Sequence, residues 1–177
     1  CGKGELWGLD NCSKANLDLF ITAGDDGRII VWNKNERKFV NEVQMPVAGL
    51  KLRSVAVSPK HGKLVAVGTL NGKVLIYKIR HMLTKDTKAM PVAVLENTGA
   101  EEIAVLKFSP NDKMLAVGSH DNTIRVFMAR TMQPLCQLSG HSSFISALDW
   151  SLDSKFIQSI VRAGNCRQTN FFFFFLL

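Results

Sequence analysis

A hairpin written three times constrains this chain more than any other feature. A β-rich run, a short polar turn and a second β-rich run closed by an aromatic residue span Phe20 to Trp32, Leu64 to Tyr77 and Met114 to Phe127. Asp26-Gly27, Asn71-Gly72 and Asp121-Asn122 occupy the same slot, and such pairs tolerate the positive φ that a two-residue hairpin turn demands. The closing aromatics, Trp32, Tyr77 and Phe127, are spaced 45 and 50 residues apart. Self-similarity at such a period marks a repeat architecture, in which each unit buries its apolar face only against its neighbours.

Another recurring segment precedes each hairpin: Leu6 to Leu9, Ser54 to Pro59, Val105 to Pro110 and Ala147 to Ser151. Apolar alternation closed by Ser-Pro or Ser-Leu reads as a strand running into a turn. Lys38 to Val43, Pro91 to Leu95 and Pro134 to Leu138 supply one more short strand after each hairpin. Four strands per unit at this period describe a propeller blade. The predicted fold is therefore all-β, an open arc of three four-stranded blades plus an incomplete fourth. No segment has helical periodicity, and the polar stretch from Arg80 to Met90 reads as a long surface loop.

The fourth repeat begins at Gly140-His141 and continues through Trp150 to Ile157, but its expected turn and aromatic-ended strand do not follow Ser159. Instead come Val161-Arg162 and, further on, five consecutive phenylalanines. A splice donor translates in frame as Val-Arg and a T-rich tract as Phe and Leu, so intron read-through is expected. The chain is expected to divide into a repeat array, residues 1–160, and an unstructured low-complexity tail, residues 161–177. With Cys1 in place of Met, a fragment is expected.

Composition excludes several classes. With 46% apolar residues and a net charge of +7, the 177-residue chain is globular rather than disordered. No apolar run approaches the ~20 residues that a membrane-spanning helix requires, so no membrane partner is expected. The four cysteines and four histidines are dispersed, without the close pairs of zinc or redox sites. Free cytosolic thiols and neither metal nor cofactor are expected. Residues 1–160 carry +5, which favours an acidic partner without naming it.

Gly140-His141, the polar hairpin turn and the aromatic closing each third strand resemble the WD40 repeat. The array is degenerate: no Asp follows Trp32, Tyr77 or Phe127, and a single Gly-His is present. Gly4 to Leu9, the Gly24-Asp25-Asp26 turn, Leu115 to Asn122 and Gly140 to Ile145 with Leu148 to Ser151 resemble the echinoderm microtubule-associated protein-like family. Asn11-Cys12-Ser13 stands where that family usually has a His-Pro pair. The resemblance, over about residues 4–159, implies roughly half of one propeller and a microtubule-bound, cytoplasmic protein. For His141 it implies a structural bond within its blade, to a hairpin Asp that this chain lacks.

Gly118-Ser119-His120-Asp121 sets three triad residue types side by side, but consecutive residues entering a turn point in different directions. Asp25-Asp26 offers a carboxylate pair, yet Asp at a turn more simply bonds its own backbone. Trp7, Trp32, Tyr77 and Trp150 read as core, so stacking aromatics for a nucleic acid are not evident. Lys51, Arg53, Lys60, Lys63, Lys73, Lys85 and Lys88 are basic, with Lys51, Arg53, Lys85 and Lys88 taken as candidates for facing a partner and a solvated charge as the default for each. Two functions follow: a non-enzymatic tubulin-binding propeller, or a general protein scaffold without tubulin contact.

Overall fold

Alternating apolar residues give a strand two faces, and each must find a neighbour or meet water. The computed structural model describes residues 4–12, 18–45, 49–84, 89–96 and 101–161 and the backbone of 173–176. Its strands form four antiparallel sheets in simple chain order. The first holds β1 (Leu6–Cys12), β2 (Leu19–Gly24), β3 (Arg28–Asn33) and β4 (Lys38–Gln44). The second holds β5 (Leu52–Val57), β6 (Leu64–Thr69), β7 (Val74–Lys78) and β8 (Ala93–Leu95), with the one-turn helix α1 (Ile79–Met82) between the last two. The third holds β9 (Ile103–Phe108), β10 (Met114–Ser119), β11 (Ile124–Met128) and β12 (Pro134–Leu138). The fourth pairs β13 (Ile145–Trp150), β14 (Phe156–Val161) and β15 (Phe173–Leu176).

The first strands of successive sheets, β1, β5, β9 and β13, pack side by side, so the sheets radiate as blades of an unclosed fan. Its core lies between blades. One cluster joins Ile21, Val31 and Val43 to Val57, Val65 and Tyr77; a second joins blades two and three; a third joins Val126 to Ile145, Trp150 and Ile157. Burying one such side chain is worth about 1.5–3 kcal/mol. Polar clips cross the same boundaries. Asp10 accepts the Val57 N–H at 2.7 Å, the Ser54 hydroxyl donates to the Ile103 carbonyl at 2.8 Å, and the Trp150 indole donates to the Lys107 carbonyl at 3.1 Å.

Four expectations are corrected. The hairpin turns are longer than two residues and use one positive φ instead of two: Gly27 at 69°, Gly72 at 77° and Asn122 at 65°. A type I turn followed by a left-handed residue meets the strand twist at the cost of a bulge, which suits Asp-Gly and Asp-Asn equally. The Arg80–Met90 loop is not wholly on the surface. Ile79 and Met82, one turn apart on α1, are buried, and the Asn41 side-chain amide donates to the carbonyls of Met82 and Thr84, 2.7 Å each.

Trp7 and Trp32 are not core: Trp7 is 51% exposed at the irregular start of β1, and Trp32 is half-buried because it lies on the side of the first blade that no other blade of this chain covers. Tyr77 and Trp150, between blades, are buried. Finally, Phe173–Leu176 forms a strand on β14 where the sequence predicts an unstructured tail. An open strand edge pairs with any β-prone segment within reach, and a phenylalanine run is one.

Candidate protein-interaction surface

Every inner strand carries a bulge close to its start, which lifts Trp7, Arg53, Ala104 and Ser146 out of register. Bulges re-aim side chains, and here they bring neighbouring blades into contact at the hairpin-turn end of the fan. The Arg53 guanidinium lies over the Trp7 ring, 4.6 Å from its centroid. It pairs closely with Asp25 of the first blade and, at 3.6 Å, with Glu102 of the third. Lys51 reaches Asp25 at 3.9 Å, and Glu102 approaches His120 at 3.9 Å. The His120 ring packs on Phe144, 4.4 Å between centroids. One charged chain therefore crosses the first three blades, and the His120–Phe144 ring contact continues it to the fourth. Arg53 is only 11% exposed at its side chain, so it acts as a clip between blades, whereas Lys51 is the more open of the two.

The remaining predicted positions divide between turns and blade interfaces. The Asp26 carboxylate accepts the Arg28 N–H at 3.2 Å, and Asp121 accepts the Thr123 N–H at 3.1 Å, both bonds local to the turn. Burial opposes ionisation of Asp121, but hydrogen bonds from Thr123 and Arg125 and the Arg125 charge outweigh it and hold the carboxyl below its ordinary range. In the Ser119-His120-Asp121 run the Ser119 hydroxyl accepts the Asp121 N–H, His120 turns to Glu102 and Phe144, and Asp121 turns to Arg125 at 2.7 Å. Ser, His and Asp do not form a hydrogen-bonded triad. Among the described residues no cluster of His, Cys, Asp and Glu is placed to hold a metal. Lys85 and Lys88 lie outside the described residues.

Strand register relates two bonds that the sequence does not connect. Thr22, Val67, Val117 and Ser159 occupy one equivalent position in the second strand of the four blades; Val67, Val117 and Ser159 face the preceding blade, and Thr22 faces the open side of the first. Where the position carries a hydroxyl it is used: Thr22 accepts the Trp32 indole N–H at 3.0 Å, and Ser159 lies 2.8 Å from His141 Nε2. Where it carries Val, the side chain is buried without a polar demand. His141 thus has a structural bond in its own blade, to a serine rather than the Asp that the resemblance implied, and burial lowers its pKa. The hydroxyls at 22 and 159 are the signal that sequence reasoning missed.

Sequence and structure comparisons agree with this geometry. The family model described as "Echinoderm microtubule-associated protein second beta-propeller" matches residues 6–171. The ciliary WD repeat-containing protein ctxp80 of Euplotoides octocarinatus is 36% identical over 90% of this chain and 24% of its own length. Echinoderm microtubule-associated protein-like 2 of Mus musculus is 36% identical over 85% of this chain and 22% of its own. Echinoderm microtubule-associated protein-like 1 of Homo sapiens is 33% identical over 88% and 18% respectively. The chain thus spans about a quarter or less of the length of these relatives. A chain of the crystal structure of the mitotic checkpoint complex, only 12% identical, superposes with a TM-score of 0.74 over 89% of this chain and 44% of that one, which supports the fold alone.

Proposed function

Because this chain belongs to the echinoderm microtubule-associated protein family, as a partial WD40 β-propeller, we propose that it is a non-enzymatic propeller segment that binds tubulin or microtubules and helps organise the cytoskeleton. The observation that carries the reading is the family match across residues 6–171, nearly the whole array. The basic balance supports it, since a +5 repeat region favours an acidic surface. The proposal extends to a cytoplasmic, microtubule-associated location. A specific interface commonly buries about 800 Å² per partner on a preorganised face, and an unclosed fan offers less rigid surface than a closed propeller.

The test is cosedimentation with polymerised tubulin over a salt series, for this chain and for a longer form that closes the propeller. The longer form is expected in the pellet at and above physiological salt. The 177-residue chain is expected there weakly, fading beyond ~0.15 M, where the Debye length is about 8 Å. No binding by the longer form at low salt would transfer the reading to a general protein scaffold without tubulin contact.

A further inference from the structure

Between the second and third blades, at the end opposite the hairpin turns, lies an open groove of about 1070 Å³. That is at or above the upper end of pockets that enclose a small ligand, ~300–1,000 Å³, and it is a trough rather than an enclosed cavity. Lys63, Lys78, Arg80 and Arg130 line it. None of the four makes an ion pair within the described residues. Among the described residues the one carboxylate on the lining is Asp112, and it is engaged: Oδ1 accepts the Lys60 N–H at 2.9 Å and Oδ2 the His61 N–H at 2.8 Å, clipping blade three to blade two. Four cations therefore face one committed anion, in contrast to the balanced network at the hairpin-turn end.

We infer that this trough takes an extended acidic polypeptide segment, rich in Glu or Asp and supplied by a protein partner. Charge complementarity selects acidity, because four unpaired cations along one trough focus a positive field on it. The wall favours a polypeptide over a nucleic acid: between the cations it presents apolar Leu64, Val92, Ala93 and Met132, and among the described lining residues its single aromatic ring is His61, where single-strand binding uses a succession of stacking rings. The inference rests only on the coarser part of the proposed function, that this propeller contacts proteins, and it holds whether or not that protein is tubulin.

The experiment measures fluorescence anisotropy of a labelled 12-residue Glu-rich peptide with the full chain at 50 mM salt, without tubulin. Lys63→Glu/Arg130→Glu is compared with Lys73→Glu/Lys155→Glu, which changes net charge equally but lies outside the trough. All four positions are exposed, and matching circular dichroism melts verify that each pair leaves the fold intact. Expected are a tenfold or greater loss of affinity for the first pair and less than twofold for the second. Equal losses for the two pairs, or no binding by the unaltered chain, would overturn the inference. So would tighter binding of a 12-residue oligouridylate than of the peptide. Because tubulin is absent, loss of microtubule cosedimentation with peptide binding retained would count against the proposed function alone.

Discussion

Replacing Gly68 with alanine probes the closest approach between two blades. A Cβ built there lies 2.3 Å from the Ser54 hydroxyl oxygen and 2.6 Å from Ile103 Cγ2, both at the boundary of blades two and three. Ordinary carbon contacts need about 3.5–4.0 Å, so Ile103 must yield by roughly 1 Å or the blades must separate. Ser54 must swing away as well, which endangers its 2.8 Å bond to the Ile103 carbonyl. Overpacking a tight core costs about 1–3 kcal/mol, and a lost buried hydrogen bond adds about 1 kcal/mol. Against this, alanine restricts the unfolded chain, a gain of about 0.4–1 kcal/mol. The balance is a destabilisation of about 2 kcal/mol. In a domain of this size it lowers the melting temperature by about 4–8 °C. Circular dichroism melts of the Gly68→Ala and Ser54→Ala variants and their double mutant read both the loss and the coupling. An unchanged or raised melting temperature for Gly68→Ala would refute the blade spacing on which the argument depends.

Ser159→Ala should cost about 1–3 kcal/mol in urea denaturation, because it removes the 2.8 Å partner of a buried imidazole. His141 has a folded pKa below its unfolded value, so the unfolded chain binds the extra proton. Its contribution is complete above about pH 6.5 and is lost as pH falls through the folded pKa; melts from pH 7.5 to 5 should show a decline that His141→Asn reduces. Trp32→Ala should cost about 1–2 kcal/mol in this chain, from lost ring contacts with Phe20 at 5.8 Å and Phe39 at 6.3 Å, and more wherever another blade covers that face. Equal losses in the chain and in a closed propeller would refute an uncovered first blade. Leu9→Glu, on a side chain 62% exposed beside that face, should lower light scattering at high protein concentration without lowering the melting temperature.

The hairpins, their turn pairs and the four-strand unit were legible in the amino-acid order because they are local. Strand alternation has a fixed period of two, and Asp-Gly, Asn-Gly and Asp-Asn mark a positive φ wherever they stand. Ser58 and Ser109 were legible in the same way. Each closes an inner strand, and its hydroxyl accepts backbone N–H groups from the turn that follows. The family resemblance was readable for this reason too, since its motifs are turns and strand ends.

What the order could not state is which face of each blade meets another. Trp32 and Tyr77 close equivalent strands, yet one is half-exposed and the other fully buried, because Tyr77 lies between blades and Trp32 on the open side. Nor could it show that Arg53 reaches two blades at once, that His141 finds Ser159, or that Lys63, Lys78, Arg80 and Arg130 line one trough while Asp112 is engaged elsewhere. Those groupings reach across as many as 67 positions, from Lys63 to Arg130, over turns and blade boundaries. Alternation fixes the two faces of a strand, but only packing of one blade on the next decides which face is buried and which side chains share a site.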